Sequence, residues 1–321
     1  MIAERSRNRL ERKLKDALGE VICRALEEPT VVEIMMNPDG RLYVERLGET
    51  VVPLGRMDRI AVEIVIGSVA HAIGREVDEQ SPIVSGELPI GGHRFEGLLP
   101  PVVAAPSFSI RKKAVRLIPL EDYVAAGVMT ARQASVLTHA VKARRNIVVS
   151  GGTGSGKTTL ANALIAEIAR HAPADRLVVL EDTAELRIVS ENAIALRSTD
   201  DVDLARLLKS TMRLRPDRII VGEVRDGAAL SLLKAWNTGH PGGIATVHAN
   251  SARAALRRLE QLTAEVSQQS MHAVIGDAVD LVVQIERVPT GRRVAELLNV
   301  VGHDGTAYQF TSDDGEKRHA A

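Results

Sequence analysis

The segment Gly151-Gly-Thr-Gly-Ser-Gly-Lys-Thr158 matches the pattern G-x-x-x-x-G-K-[ST] of a phosphate-binding loop. The apolar run Asn146–Ser150 precedes it and predicts a strand, and a helical pattern follows from Thr158. Glycines let backbone N–H groups turn inward around phosphates, and the N-terminus of the next helix adds partial positive charge. The sequence therefore predicts a nucleotide-binding loop, called the P-loop below, between a strand and a helix.

The P-loop predicts ATP and Mg²⁺ as ligands. We expect Lys157 to reach the β- and γ-phosphates and Thr158 to ligate Mg²⁺ through its hydroxyl. The expected nucleotide-binding residues are Gly151, Gly152, Thr153, Gly154, Ser155, Gly156, Lys157, Thr158 and Thr159.

Around the P-loop, short apolar runs alternate with helical stretches. The predicted strands are Asn146–Ser150, Arg176–Leu180, Arg218–Val221 and Gly243–Val247, and the predicted helices are 158–170, 203–214 and 225–238. Such alternation favours an α/β fold with a parallel sheet and helices on its faces.

Carboxylates follow two of these strands. The stretch LEDTAEL places Glu181, Asp182 and Glu185 just beyond one strand, where they are positioned to hold Mg²⁺ or to orient the attacking water. A second strand ends at Gly222-Glu223. Many P-loop NTPases carry Asp at the position of Gly222, so Glu223 is predicted to take the acidic role.

A histidine ends the fourth predicted strand, in the stretch GGIATVHANS. The imidazole of His248 is expected to hydrogen-bond the γ-phosphate or a neighbour that senses it.

The N-terminal part has a different pattern. Residues 31–46 predict a hairpin that turns at Asn37-Pro-Asp-Gly40, and residues 57–74 predict a helix ending at a glycine. We expect a smaller α/β domain over residues 1–112, a linker over 113–121 and the P-loop domain over 122–321.

Composition excludes several classes of protein. The 321 residues carry 41 basic and 41 acidic side chains, and only 2% are aromatic, so direct nucleic-acid binding is not expected. The lone Cys23 excludes an intramolecular disulfide and a multi-cysteine zinc site.

No apolar stretch is long enough for a membrane span, and we expect a cytoplasmic protein. A basic helical stretch at residues 5–15 is either a solvated face or a contact with an acidic membrane surface.

The order of the motifs resembles the secretion ATPases of type II and type IV secretion and pilus systems. After the P-loop come EDTAEL, the 15-residue segment MRLRPDRIIVGEVRD and TVHAN, and the first domain adds GGHRFEGLLPP and SFSIRK. The resemblance covers nearly the whole chain. Because the chain is short, it is most similar to the conjugation branch of the family, the TrbB-type conjugal transfer ATPases.

This resemblance implies a fold, a reaction and a set of partners. The fold is a C-terminal RecA-like P-loop NTPase domain with a smaller N-terminal α/β domain. The reaction is ATP hydrolysis powering assembly or substrate transfer of a type IV secretion or conjugation apparatus through ATP-driven domain motion. The implied partners are five further copies in a homohexamer and inner-membrane components of the apparatus, with a peripheral location at the cytoplasmic face of the inner membrane.

The resemblance also implies roles for single residues. Lys157 and Thr158 bind phosphate and Mg²⁺, and Glu181 and Glu223 assist metal and water, with Glu223 as general base. His248 reports the γ-phosphate. Arginines of the first domain approach the nucleotide in this family, and Arg94 and Arg111 lie in the matching segments, whereas Arg225 is either such a group or a salt-bridge residue.

Three other functions stay open at this point. A type IV pilus motor is the alternative within the family, although assembly motors of that branch often carry a paired-cysteine zinc module that one cysteine cannot build. A nucleic-acid translocase conflicts with the zero net charge and the scarce aromatics. A non-hydrolysing scaffold conflicts with the presence of Lys157, Thr158 and both glutamates.

Overall fold

The computed structural model describes residues 2–46, 49–113, 117–199, 201–311 and 317–319, without the side chains of 2–8 and 317–319. The chain divides into two compact units, Met1–Val115 and Arg116–Ala321. The predicted linker, 113–121, falls partly on residues 114–116, which lie outside the described residues, and its last two residues are helical rather than irregular.

The N-terminal unit is built on a six-stranded antiparallel sheet in the order β3-β2-β1-β6-β5-β4. Its elements are α1 (Ile2–Glu27), β1 (Val31–Met36), β2 (Arg41–Arg46), β3 (Val52–Arg56), α2 (Arg59–Ala72), β4 (Ile83–Glu87), β5 (Arg94–Leu98) and β6 (Ser107–Arg111).

Local sequence signals account for the first elements of this unit. The predicted hairpin forms as β1 and β2, and the N–H of Asn37 donates to the carbonyl of Arg41 across the turn (3.0 Å). Helix α2 starts where the Asp58 carboxylate accepts the N–H of Ile60. Leu14 and Leu18 of α1 are buried in the core of the unit. Of the basic stretch 5–15, the side chains of residues 5–8 lie outside the described residues.

The C-terminal unit is built on a nine-stranded sheet in the order β15-β14-β13-β12-β7-β11-β10-β8-β9. Its elements are α3 (Leu120–Ala125), α4 (Ala131–Lys142), β7 (Ile147–Gly151), α5 (Lys157–His171), β8 (Leu177–Glu181), β9 (Ala193–Arg197), α6 (Leu204–Thr211), β10 (Arg218–Val221), α7 (Ala228–Asn237), β11 (Ile244–His248), α8 (Ala252–Ala264), α9 (His272–Ala278), β12 (Leu281–Val288), β13 (Gly291–His303), β14 (Tyr308–Thr311) and β15 (Lys317–His319).

Six neighbouring strands of this sheet are parallel, in the order β12-β7-β11-β10-β8-β9. Strands β13, β14 and β15 extend the sheet beyond β12 and are antiparallel. Apolar side chains of α3, α4 and α5 form a core on one face, and those of α6 to α9 form a core on the other. The predicted α/β fold with a parallel sheet is confirmed for this central part. None of the described helices is both long and apolar enough to cross a membrane.

Buried polar groups align the starts of the central strands. The Asn146 carboxamide oxygen accepts the N–H groups of Gly242 (2.8 Å) and Gly243 (3.0 Å) just before β11, and its Nδ2 donates to the carbonyl of Ala278 (2.8 Å). The Arg218 guanidinium, 1% exposed, donates from Nε to Asp175 (2.7 Å). Because these donors and acceptors are buried and satisfied, they fix the register of the central strands at their starts. The same register sets which residues are neighbours at the carboxyl ends of these strands.

Candidate active site

The P-loop connects the end of β7 to the start of α5. Residues 152–156 form the loop, and Thr158 and Thr159 lie in the first turn of the helix. Gly156 caps the helix with φ +99°, a left-handed conformation that favours glycine. The first N–H groups of a helix have no partners within the helix, and in α5 they directly follow the loop. The predicted order of strand, loop and helix is confirmed.

Lys157 lies under the loop and is 7% exposed. Its ammonium donates to the carbonyls of Gly151 (3.0 Å) and Gly152 (2.9 Å) and lies 3.4 Å from Nδ1 of His248. The two carbonyls thus stabilise a buried ammonium next to the P-loop.

His248 joins the P-loop lysine to the strand-end glutamate. It is the last residue of β11, and its Nε2 lies 3.0 Å from Oε1 of Glu223, just beyond β10. When Nε2 carries the proton and donates to the carboxylate, Nδ1 is an acceptor and takes a hydrogen bond from Lys157. The predicted Lys157, Glu223 and His248 are therefore in one line of contacts.

Opposing effects act on the Glu223 carboxyl. Burial raises its pKa, but the hydrogen bond from Arg225 (2.6 Å) and the charges of Arg225, His248 and Lys157 outweigh the burial. The net result is a pKa below the ordinary value, so Glu223 is ionised at neutral pH and able to accept a proton. Arg225 is thus the salt-bridge partner of Glu223.

Glu181 is directed into the turn that follows β8. Its Oε1 accepts the N–H groups of Glu185 (2.9 Å) and Leu186 (2.7 Å), and the residue is 7% exposed. Gly222 packs against this side chain, since a Cβ at position 222 would lie 2.9 Å from Cγ of Glu181. An aspartate at position 222 would displace Glu181, which explains why the acidic group of β10 comes one residue later.

Glu185 is the carboxylate beside the P-loop threonine. The hydroxyl of Thr158 donates to its Oε2 (3.2 Å), and Asn162 of α5 bonds the Glu185 carbonyl (3.4 Å) and the N–H of Arg187 (2.7 Å). Asp182 instead accepts from the Ser198 hydroxyl (2.6 Å). A hydroxyl and a carboxylate are oxygen ligands suited to Mg²⁺. Over the described part of the chain, no three His, Cys, Asp or Glu side chains form a metal site on their own.

The surroundings of the P-loop contain buried polar atoms that have no hydrogen-bond partner among the described residues. These atoms are Ser150 Oγ, Ser155 Oγ, Gln284 Oε1 and Arg292 Nε. Buried polar groups in native proteins are satisfied by protein, ligand or ordered water, so this set fits a site that takes a polar, hydrated ligand. Asn162, Gln284 and Arg292 were not among the residues that the sequence predicted, because no motif marks them.

Arg94 and Arg111 belong to the N-terminal unit. They are opposite each other on the neighbouring strands β5 and β6, and both are half-buried. On their other sides in the sheet, Glu87 of β4 lies opposite Arg94 and Glu33 of β1 lies opposite Arg111, so each arginine has a glutamate as a cross-strand neighbour. Their predicted role at the nucleotide stays a prediction.

Comparison with known proteins shows the family. The family described as "Type II/IV secretion system protein" matches residues 16–308, and the chain belongs to it. The chain is 64% identical over 321 residues to a probable conjugal transfer protein TrbB of Sinorhizobium fredii, with 99% of each chain covered. It is 66% identical over 305 residues to a conjugal transfer protein TrbB of Rhizobium radiobacter, covering 95% of this chain and 94% of that protein.

A solved structure shows the same fold. The crystal structure of the pilus retraction motor PilT with bound ADP matches with a TM-score of 0.62 over 87% of this chain and 82% of that one. At 20% sequence identity this likeness concerns the fold alone. The predicted fold, a RecA-like P-loop domain with a smaller N-terminal α/β domain, is confirmed.

Proposed function

We propose that this protein is a Mg²⁺-dependent ATPase that powers a conjugal type IV secretion apparatus. The line of contacts from Lys157 through His248 to Glu223 carries the proposal, because it joins a phosphate-binding cation to an ionised carboxylate. The two relatives described above, at 64% and 66% identity, are named for conjugal transfer, which supports a role of this protein in conjugal transfer.

Each residue of the line has a chemical task. Lys157 exchanges the Gly151 and Gly152 carbonyls for β- and γ-phosphate oxygens. Glu223 accepts the proton of the attacking water as general base. His248, which contacts both, reports the presence of the γ-phosphate to the base.

Thr158 and Glu185 would hold the magnesium ion, because their oxygens lie 3.2 Å apart at the start of α5. The bound ion supplies charge neutralisation for the phosphates. Glu181 acts here by fixing the turn that carries Glu185, since its carboxylate accepts two N–H groups of that turn.

The active assembly is proposed to be a closed homohexamer. A single P-loop domain offers Lys157 as its main cation to a highly charged triphosphate, so further positive groups are expected in the transition state. Arg94 and Arg111 are the proposed groups. Inner-membrane components of the apparatus are the proposed partners, which puts the protein at the cytoplasmic face of the inner membrane.

The test compares Lys157→Ala, Glu223→Gln and the exposed-face control Glu191→Gln. Phosphate release, ATP binding and complementation of plasmid transfer in a donor strain lacking the gene are measured. Lys157→Ala should lose all three, and Glu223→Gln should bind ATP without turnover, because the amide is nearly isosteric but accepts no proton. Wild-type turnover in Glu223→Gln would remove it as the base. Normal plasmid transfer by the deletion strain would contradict the conjugal role.

A further inference from the structure

Arg292 contacts the P-loop from a part of the chain that carries no nucleotide motif. It is the second residue of β13, at the tip of the β12–β13 hairpin, and its Nη2 donates to the carbonyl of Gly154 (3.3 Å). Its Nε is buried and has no hydrogen-bond partner in the part of the chain that the structure describes. A cationic donor is thus held against the loop with part of its hydrogen-bonding capacity unused.

The P-loop and the hairpin are closely fitted to each other. A Cβ on Gly156 would lie 3.0 Å from Cδ and 3.2 Å from Nε of Arg292. A Cβ on Gly151 would collide with the carbonyl oxygen of Ile285 on β12. Both strands of the hairpin therefore occupy space that a side chain on the loop would need.

The contact of Arg292 with the Gly154 carbonyl orients the peptide group between Gly154 and Ser155 in the P-loop. A trans peptide is planar, and its C=O and N–H point in opposite directions. Because Arg292 holds the Gly154 carbonyl from the side of the hairpin, the N–H of Ser155 in the same peptide points the opposite way. That N–H has only a long contact with the Gly152 carbonyl (3.4 Å), so it is available to an anion.

The β12–β13 hairpin also contacts the segment that contains α3 and α4, residues 120–142. Two residues beyond Arg292, the N–H of Val294 donates to the Val128 carbonyl (2.7 Å), and Gln133 donates to the Val294 carbonyl (3.2 Å). The charge of Arg292 also reaches Tyr123 of α3, where it partly offsets the rise in pKa that burial gives the phenol.

We propose that Arg292 is a positioning residue that braces the P-loop at the Gly154 carbonyl and links nucleotide binding to the order of the α3–α4 segment, residues 120–142. The inference rests on the proposed function in one respect, namely that a nucleotide phosphate occupies the P-loop. The transmitting structure is the start of β13, which contacts the loop at one residue and the α3–α4 segment two residues later.

The test uses Arg292→Ala, Arg292→Lys and the neighbouring control Arg293→Ala, whose side chain is exposed and paired with Glu286 on the other strand of the hairpin. The dissociation constant of ADP with Mg²⁺ is measured by calorimetry. Arg292→Ala should raise it about tenfold, equivalent to ~1.4 kcal/mol. Arg292→Lys should recover part of the loss, since it keeps the charge but not the planar fork. Arg293→Ala should bind ADP like the wild type.

Hydrogen exchange with and without ADP and Mg²⁺ provides a second readout. In the wild type and in Arg293→Ala, the nucleotide should slow exchange in both the P-loop and residues 120–133. In Arg292→Ala at saturating ADP, the P-loop should still respond while residues 120–133 do not. An unchanged dissociation constant in Arg292→Ala, or an unchanged response of residues 120–133, would overturn the proposal. Failure of the wild type to bind ADP would instead contradict the proposed function.

Discussion

Gly222 and Glu181 occupy neighbouring space at the ends of β10 and β8: a Cβ on Gly222 would lie 2.9 Å from Cγ and 3.2 Å from Oε1 of Glu181. The Glu181 carboxylate cannot move away freely, because it accepts two backbone N–H groups. The absence of a side chain at position 222 therefore keeps the turn after β8 in place.

Gly222→Ala should displace Glu181 and the turn that carries Glu185. We expect a loss of about 1–3 kcal/mol in the free energy of unfolding, as for other overpacked sites, and a lower kcat. Chemical denaturation and phosphate release measure the two effects. Gly67→Ala is the control: nothing lies within 4 Å of its Cβ, and in helix α2 the change should stabilise by about 0.5–1 kcal/mol. Wild-type activity in Gly222→Ala would contradict the role assigned to Glu181.

Glu185→Gln should weaken the use of magnesium. The Thr158 hydroxyl lies 3.2 Å from the Glu185 carboxylate, and loss of that charge should raise the Mg²⁺ concentration for half-maximal ATPase activity about tenfold. A magnesium titration at saturating ATP measures this. Glu191→Gln, on an exposed turn, should leave the titration unchanged. An unaltered magnesium dependence in Glu185→Gln would exclude it as a ligand.

Arg225→Ala should move the acid limb of the pH profile to higher pH. Burial raises the pKa of Glu223, and Arg225 provides the largest opposing effect. Without Arg225 the pKa of Glu223 rises. When the pH is lowered, the carboxylate of the variant is therefore protonated, and its activity lost, at a higher pH than in the wild type. The profile of kcat/KM against pH measures the shift, with the exposed Arg257→Ala as control. A profile identical to wild type would show that Glu223 is not the titrating base.

Arg94→Ala and Arg111→Ala should lower kcat more than they weaken ATP binding. Removal of one group that stabilises transition-state charge costs roughly 100-fold in kcat. Because the two residues are opposite each other on β5 and β6, we expect the double variant to be less than additive. The exposed Arg41→Ala serves as the control. Full activity of wild-type protein at concentrations where sedimentation shows only monomer would contradict the ring.

Arg218→Met should lower the free energy of unfolding of the C-terminal unit without removing any contact of the P-loop. The Arg218 guanidinium is buried and bonds Asp175, which is also paired with Arg144, and the carbonyls of Val141 (3.1 Å) and Gly242 (3.3 Å). Loss of one partner of a buried pair costs about 3–5 kcal/mol in the free energy of unfolding. The exposed pair Arg59–Glu63 provides the control, and Arg59→Ala should cost about 0–1 kcal/mol. A loss in Arg218→Met no larger than in this control would contradict the structural role.

Much of the C-terminal fold could be predicted because its signals are local. The apolar runs and the P-loop indicate strands and helices by composition over a few residues. Three of the four predicted strands lie one residue further along, which makes Gly151, Glu181 and His248 the last residues of β7, β8 and β11. Strands β12 and β13 were not predicted, since neither shows a strict alternation of buried and exposed residues.

The sequence by itself determined the P-loop, the ATP-binding class and the set of acidic and histidine residues at strand ends. A loop that binds phosphate needs its glycines and lysine at fixed spacing, so the pattern is readable along the chain. Only the tertiary structure decided that Glu185 lies beside Thr158, that Gly222 makes room for Glu181, and that Arg292 contacts the P-loop. These contacts join residues distant in sequence, and their geometry depends on strand register and helix packing, which no local pattern specifies.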